Sequence, residues 1–182
     1  LAYIDFSKAF DGVPRKALLA TLQQSGINNR LYKAIEAMYR KTTAKCIANG
    51  TESRDFEIHR GVAQGCPLSP TLFAVYINSL INNIENLQNG VHLQDGKDPI
   101  GILAYADDIV ILAESVEELQ RSINVAHAWC QTWGMRANVE KCGIQTYGVQ
   151  KDAPKPKIQW GQTYFPVADH YKYLGLNFEP DM

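Results

Sequence analysis

Residues 100–113 read IGILAYADDIVILA, in which two apolar runs flank the tetrapeptide Tyr105-Ala106-Asp107-Asp108. An apolar segment, a tight turn and a second apolar segment predict a β-hairpin. Such a hairpin places two adjacent carboxylates at the tip of a buried ribbon, where like charges repel and resist joint ionisation. A divalent cation relieves this repulsion, and hard oxygen ligands favour magnesium. We therefore expect the functional site at this turn.

The composition is that of a globular protein. The chain has 182 residues, 46% of them hydrophobic and 20% charged, which is enough to bury the core of one domain. No apolar stretch approaches the roughly 18 residues that span a bilayer, and no signal peptide opens the chain, so we expect no membrane partner. Four cysteines without a CxxC pair predict reduced thiols and an intracellular location, in the cytoplasm or the nucleus. A zinc site built from His127, Cys130 and Cys142 would lack a fourth ligand.

The charges are unevenly distributed along the chain. The net charge is −1, which by itself argues against a nucleic-acid-binding protein. Basic side chains nevertheless outnumber acidic ones in residues 1–60, and the reverse holds in residues 61–135. This division suits a polyanion that is bound by one region and approached through metal ions at another. Solvated helix faces explain the same division equally well.

Helices are predicted from capping and turn signals. The start signals are Pro14, Asn28 or Asn29, the pair Ser69 and Pro70 as cap and first turn, and the capping box of Ser115 and Glu118. In the second helix we predict one apolar stripe, formed by Leu31, Ile35, Met38 and Tyr39. Gly134 ends the last of these helices.

Strands are predicted for residues 1–4, on both sides of the turn at Asn49 and Gly50, and for segments near the end of the chain. Those late segments are residues 144–147, 158–160, 164–166 and 171–178. Strands and helices mingle, with hairpins and few strand-helix-strand crossovers. We therefore predict an α+β fold in which an antiparallel sheet is covered on one face by helices.

Asp5 is a second unexpected carboxylate, because it follows the apolar residues Tyr3 and Ile4. If its strand lies beside the hairpin, Asp5 and Asp107 can hold two metal ions about 4 Å apart, an arrangement that serves phosphoryl transfer. Alternatively, Asp5 is an acid at a strand end that meets a lysine or a turn.

Three ordered segments resemble the reverse transcriptase domain of non-LTR (LINE-like) retrotransposons. They are DFSKAFD at residues 5–11, RGVAQGCPLSP at 60–70 and YADD at 105–108. Two later motifs are similar too, namely Asn138, Glu140 and Lys141, and then Tyr173, Leu174 and Gly175. The resemblance covers nearly all of residues 1–182. It implies a polymerase palm with a ferredoxin/RRM-like core in residues 1–148 and extra C-terminal β-hairpins as primer-grip strands in residues 149–182.

The resemblance also implies catalytic roles. Asp5 and Asp107 would be the main metal ligands, with Asp108 beside them as a further contributor. Lys141 matches the position proposed to protonate the leaving pyrophosphate, although a solvated lysine is as good an interpretation. Two Mg²⁺ ions would be bound, with Mn²⁺ as a possible substitute.

Substrate contacts follow from the same resemblance. Phe10 matches the steric gate that disfavours a 2′-hydroxyl, and Gln64 and Gly65 match the loop that contacts the incoming nucleotide and the template. Further substrate-binding candidates are Phe6, Arg60 and Tyr105, and the primer end would meet Tyr173, Leu174 and Gly175. The competing interpretations are core packing for Phe10, an ordinary turn glycine for Gly65, a surface arginine for Arg60, and a simple strand with a turn glycine for residues 173–175.

The implied function is that of an RNA-directed DNA polymerase, which joins dNTPs to the 3′-hydroxyl of a DNA primer on an RNA template. Two alternatives remain open: an inactive polymerase-like module that binds RNA or protein, and an RNA-templated RNA polymerase. Most of the fingers and the thumb of such enzymes are expected to lie outside residues 1–182. We therefore expect this segment alone to polymerise weakly or not at all.

Overall fold

The computed structural model of the chain describes residues 1–93, 98–150 and 153–180. Its helices are α1 (Ala9–Gly12), α2 (Arg15–Gln24), α3 (Asn29–Arg40), α4 (Ser69–Glu85) and α5 (Val116–Trp133). Its strands are β1 (Ala2–Ile4), β2 (Thr43–Ala44), β3 (Ile47–Ala48), β4 (Thr51–Glu52), β5 (Phe56–Glu57), β6 (Ile102–Tyr105), β7 (Asp108–Ile111), β8 (Gly143–Ile144), β9 (Gln159–Trp160), β10 (Thr163–Tyr164), β11 (Tyr171–Tyr173) and β12 (Leu176–Phe178). Within the described ranges, no helix is both long and apolar enough to cross a bilayer.

The chain divides into two compact units. The first consists of Leu1–Ala9 and Asn78–Met182, and the second consists of Phe10–Ile77. The boundary predicted between residues 148 and 149 falls inside the first unit. Residues 151–152 and 181–182 of the predicted primer-grip segment lie outside the described residues. The assignment of that segment to primer binding stays a prediction.

The first unit contains a four-stranded sheet in the order β6-β7-β1-β8, and every neighbouring pair is antiparallel. The register of β1 and β7 pairs Tyr3 with Val110 and Ile4 with Ile109. The strand that leads into Asp5 therefore lies beside the second strand of the predicted hairpin, as the sequence analysis expected. The predicted mixture of helices with an antiparallel sheet is confirmed.

The segment around β1 packs on different elements at its two faces, because successive side chains of a strand point in opposite directions. The ring of Phe6 lies 6.4 Å from that of Trp129 in α5, measured between centroids. The Trp129 indole donates a hydrogen bond to Ser79 of α4 at 2.8 Å. On the other face, Tyr3 stacks on Tyr171 with centroids 4.0 Å apart. This region is therefore held between a helix and the β11–β12 hairpin.

The predicted cap and end of α5 are confirmed, whereas the predicted cap of α4 is not. The Ser115 hydroxyl accepts the N–H of Glu118 at 3.2 Å, and Gly134 ends α5 with a φ of 73°. The predicted cap at Ser69 is wrong. Its hydroxyl donates to the carbonyl of Ala63 at 2.6 Å, so it ties the preceding loop to the start of α4.

Positive φ angles mark the turns of two hairpins. One of these hairpins was predicted as a single strand-like segment. Asn49 and Gly50 have φ angles of 50° and 76°, the pattern of the predicted two-residue hairpin turn. Residues 171–178 were predicted as one strand-like segment. Leu174 and Gly175 divide it with φ angles of 49° and 83°, so that β11 pairs with β12.

The second unit is built around α2 and α3. The side chain of Asn28 caps α3 by accepting the N–H of Leu31 at 2.9 Å, which decides between the two predicted caps. Ile35 and Tyr39 are buried, but Leu31 and Met38 are 47% and 51% exposed. Half of the predicted apolar stripe is therefore buried and half is exposed. Only the part of the α3 surface that contains Ile35 and Tyr39, four residues apart, is buried in the unit.

Arg15 is a buried cation at the centre of this second unit, with 8% of its surface exposed. Its Nε donates to the carbonyl of Gly61 at 3.0 Å, and its Nη1 donates to those of Ile58 at 2.6 Å and Tyr39 at 3.4 Å. The guanidinium also lies 4.9 Å from the centre of the Tyr39 ring. The Tyr39 hydroxyl is buried without a hydrogen-bond partner in the described structure.

Replacing Tyr39 with Phe is expected to raise the free energy of unfolding by about 1 kcal/mol, because an unsatisfied buried hydroxyl is removed while the ring stays under Arg15. Urea unfolding of Tyr39→Phe beside the wild type measures this difference. Tyr32→Phe on the same helix is the matched control and should leave stability unchanged. A Tyr39→Phe variant that is less stable than the wild type would mean that the hydroxyl has a partner in solution.

Candidate active site

The register of the sheet brings three carboxylates to one end of β1 and β7. Ile4 pairs with Ile109, so continuing the ladder by one residue sets Asp5 level with Asp108. Tyr105 pairs with Asp108 across the hairpin, which leaves Ala106 and Asp107 as its two turn residues. The three acids therefore meet where the central strand and the hairpin tip end together.

The hairpin turn carries local backbone strain. Ala106, the first turn residue, has a φ of 52°, whereas Asp107 keeps a negative φ. This is the pattern of a type II′ turn, whose first position normally holds glycine. An L-residue in this conformation costs about 1–2 kcal/mol. Such strain is characteristic of functional sites, and here it fixes the backbone that presents Asp107.

The carboxylates influence one another electrostatically. The pKa of Asp108 is raised above its usual value, first by burial and then by the negative charges of Asp107 and Asp5. A raised pKa means that ionisation of Asp108 is unfavourable in the folded protein, and a bound cation would offset this cost. The oxygen donor set suits a hard cation.

The part of the chain that the structure describes contains no complete set of protein ligands for a metal ion. Within it, no group of three or more His, Cys, Asp or Glu side chains is arranged to hold a metal ion. This disfavours the zinc site considered for His127, Cys130 and Cys142, and all four cysteines are free thiols. Mg²⁺ differs from zinc, because it is commonly held by one or two carboxylates while substrate phosphates and water complete its shell. The acids around Asp5 fit that mode of binding.

Asp5 is fixed through its backbone by the segment after α5. The thiol of Cys142 accepts the Asp5 N–H at 3.5 Å and donates to the Asp5 carbonyl at 3.9 Å. The same carbonyl accepts the N–H of Asn138 at 2.8 Å. Burial, as the main cause, raises the pKa of Cys142 to about 11, so the thiol keeps its proton at neutral pH. Asp5 therefore has little freedom to move along the sheet.

A layer of tyrosines covers the face that bears Asp5. The hydroxyl of Tyr171 donates to the backbone carbonyl of Lys141 at 2.9 Å, and that of Tyr173 donates to the carbonyl of Asp108 at 3.4 Å. Burial raises the pKa of Tyr171 to about 12, with smaller effects from Cys142, Asp5 and Asp108. Lys141 itself is exposed beside this layer. The predicted catalytic lysine and the predicted primer-grip tyrosine thus belong to one connected structure with the acids.

Two residues that the sequence analysis did not single out hold this layer in place. A Cβ on Gly143 would lie 2.8 Å from the Tyr171 ring, so only glycine allows the ring to rest on β8. Gln145 is fully buried, and its carbonyl oxygen accepts hydrogen bonds from Tyr3 and Tyr147. Its amide donates to the carbonyl of Phe178. The sequence did contain a signal for Gln145, an uncharged polar residue inside a predicted strand.

The predicted nucleotide-contacting residues belong to the second unit. Phe10, Gln64 and Gly65 share the lining of a cavity of about 390 Å³. Phe10 stacks on Phe73 with centroids 4.6 Å apart, and Gln64 donates to the carboxylate of Asp11 at 2.9 Å. Gly65 has a φ of 81°, which explains the need for glycine.

The remaining residues predicted to bind substrate or primer differ in their burial and in their contacts. Arg60 donates to the carbonyl of Gly12 at 3.1 and 2.8 Å, so its guanidinium already supports the backbone at the end of α1. Phe6 is buried against Trp129, whereas Tyr105 is 68% exposed at the hairpin. Leu174 is 49% exposed in the turn that follows Tyr173. Substrate contact by these residues stays a prediction.

A family model described as reverse transcriptase (RNA-dependent DNA polymerase) matches residues 1–178. The chain therefore belongs to the reverse transcriptase family. The resemblance to non-LTR retrotransposons is confirmed by its relatives. The chain is 32% identical over 185 residues to the retrovirus-related Pol polyprotein from the type-1 retrotransposable element R2 of Nasonia vitripennis, with 97% of this chain and 18% of that protein covered.

A second relative and a solved structure are also similar to this chain. The RNA-directed DNA polymerase from the mobile element jockey of Drosophila melanogaster is 27% identical over 184 residues, which cover 98% of this chain and 19% of that protein. The chain thus spans less than a quarter of the length of these two relatives. Among solved structures, apo telomerase from Candida tropicalis, truncated from its C-terminal domain, superposes with a TM-score of 0.62 at 14% identity. The match covers 98% of this chain and 33% of that one, which shows a shared fold.

Gly143→Ala is expected to lower the free energy of unfolding by about 1–3 kcal/mol, because the new methyl group overpacks against the Tyr171 ring. A double-mutant cycle with Tyr171→Leu measures the cause, since the penalty should shrink when the ring is absent. An equal penalty in both backgrounds would show that the Tyr171 ring is not what excludes a side chain at this position.

Proposed function

We propose that the protein is the catalytic palm of an RNA-directed DNA polymerase encoded by a non-LTR retrotransposon, with a ferredoxin/RRM-like sheet at its centre. The observation that carries this proposal is the register that sets Asp5 level with the acids of the hairpin. Membership in the reverse transcriptase family supports it. The names of the R2 and jockey relatives agree with it.

The carboxylates are assigned to metal binding. Asp5 and Asp107 would hold two Mg²⁺ ions, which Mn²⁺ could replace, and Asp108 would contribute from its place beside them. Bound ions would supply activation of the attacking primer hydroxyl and stabilisation of the leaving oxygen. The bonds to Cys142 and Asn138 hold Asp5 in register with the hairpin while this happens.

The other residues of the site bind and orient the reactants. Lys141 donates a proton to the leaving pyrophosphate, and the Tyr171 hydroxyl positions its backbone. The hairpin that contains Tyr173, Leu174 and Gly175 supports the primer end. An RNA template, a DNA primer and dNTPs are thus the partners that we propose. The four free thiols support an intracellular site of action.

Nucleotide selection is assigned to the cavity of the second unit. Phe10 excludes the ribose 2′-hydroxyl there, and its stacking on Phe73 keeps the ring rigid. Gln64 and Gly65 meet the incoming nucleotide and the template. Arg60 acts on the same loop by fixing the end of α1.

Asp107→Asn in the complete gene product is expected to reduce Mg²⁺-dependent extension of a DNA primer on an RNA template at least about 10³-fold, since a metal-holding charge is lost. Primer extension with radiolabelled dNTPs measures this loss. Asp169→Asn, an equivalent change at an exposed acid that pairs with Lys155, is the control and should keep full activity. Unchanged activity of Asp107→Asn would remove Asp107 from the mechanism.

Phe10→Ala is expected to raise ribonucleotide incorporation relative to deoxynucleotide incorporation by about 10-fold or more, a loss of roughly 1.4 kcal/mol of discrimination. The ratio of kcat/KM for matched dNTP and rNTP substrates measures it. Phe56→Ala, the same substitution at a half-exposed phenylalanine outside the cavity lining, is the control and should leave this ratio unchanged. A wild type that prefers ribonucleotides would instead support the RNA-templated RNA polymerase.

A further inference from the structure

A second cavity in the Phe10–Ile77 unit has no role in the function proposed above. It has a volume of about 290 Å³ and lies among α2, α3 and the segment after β5. Its lining consists of Arg15, Lys16, Leu19, Glu36, Tyr39, Arg40, Lys41, Thr42, Glu57, Ile58 and His59. Basic groups predominate in this lining, which we call the α2–α3 pocket.

The charges of the α2–α3 pocket are only partly compensated. Arg40 pairs with Glu36 at 3.4 Å, and His59 lies 3.6 Å from Glu57. Arg15, Lys16 and Lys41 have no carboxylate within ion-pair distance among the residues that the structure describes. At neutral pH the pocket therefore keeps an excess of positive charge.

Arg15 is the most informative of these cations, because buried charges in proteins are normally paired. It uses Nε and Nη1 on backbone carbonyls, and within the described structure its Nη2 makes no hydrogen bond. Burial lowers the pKa of its guanidinium, and the phenol group of Tyr39 opposes this effect. The hydroxyl of Tyr39, which also lines the pocket, is buried without a hydrogen-bond partner in the described structure. The site therefore lacks the negative charge that would pair with Arg15.

We propose that the α2–α3 pocket binds a phosphate group of an RNA strand. The proposal rests on the function proposed above for its choice of RNA as the source of the phosphate. The cavity is at the lower end of the size range of ligand sites, so it suits a single phosphate better than a whole nucleotide. Lys16 and Lys41 neutralise charge at its exposed rim, and Arg15 adds a fixed positive charge below them.

The first test compares two double variants with the same change of charge. Lys16→Gln with Lys41→Gln alters the pocket, and Arg30→Gln with Lys33→Gln alters α3 outside it. Fluorescence anisotropy with a single-stranded RNA, repeated over a salt series, measures binding to the complete gene product. Loss of the one phosphate contact should lower affinity about tenfold below that of the control pair and reduce the salt slope by about 0.7. Equal losses in both variants would overturn the proposal.

The second test separates RNA from small phosphate compounds. Inorganic phosphate at millimolar concentration is added to the wild type and to the pocket variant, and thermal unfolding is followed. Stabilisation of the wild type alone, together with equal RNA affinities of the two proteins, would assign the pocket to a free phosphate compound and overturn the RNA assignment. Weakened RNA binding by the pocket variant supports it.

Primer extension at saturating RNA distinguishes a failure of this inference from a failure of the proposed function. The pocket variant should keep wild-type kcat, because none of its altered residues is assigned to catalysis. If the wild type fails to polymerise yet binds RNA through the pocket, the polymerase assignment is wrong and the pocket stands. If it polymerises and the pocket variant binds RNA as tightly as the control pair, only the pocket assignment is wrong.

Discussion

The pairing of β1 with β7 is the interaction on which the candidate site depends. It aligns two segments that are more than a hundred residues apart in sequence, and it sets Asp5 level with Asp108. A slip of one residue would turn Asp5 to the opposite face of the sheet, toward the side where Phe6 meets Trp129. Such a slip would be costly, because β1 is buried on both faces and the slip would exchange the side chains that pack toward Trp129 with those that pack on Tyr171. The hydrophobic pattern that folds the sheet therefore also positions the acids.

The segment around β8 also restricts the positions of Asp5 and of the β11–β12 hairpin. β8 pairs with β1 on the side away from β7, and Cys142, just before it, holds the backbone of Asp5. Gly143 leaves room for the Tyr171 ring, while buried Gln145 joins Tyr3 to the carbonyl of Phe178. A short strand thus connects the acids with the β11–β12 hairpin. The motif around Lys141 and the hairpin around Tyr173 are far apart in sequence, but both depend on this strand for their position.

The sequence correctly predicted those turns and helix ends that depend on a few neighbouring residues. The hairpin at Ala106, the Ser115 cap and the turn at Asn49 each follow from a few neighbouring residues. The wrong predictions concern contacts with residues outside the helix that carries the signal. Whether Met38 is covered depends on what packs against α3, and the Ser69 hydroxyl chose the Ala63 carbonyl over a capping role. The packing of Gly143 on Tyr171 could not be predicted either, because no local pattern indicates which ring will lie above a given glycine.

The two units depart from ordinary charge pairing in opposite ways. In the first, Asp107 and Asp108 are adjacent acids at a strained turn, and their repulsion, together with that of Asp5, raises the pKa of Asp108 beyond the effect of burial. In the second, Arg15 is a buried cation without a carboxylate in the described structure. Each arrangement is costly for folding alone, and such departures are expected where function overrides stability. The nucleic acid and divalent cations that we propose as partners would supply both missing charges, because phosphates would pair with Arg15 and metal ions with the acids. One class of partner therefore accounts for both costs.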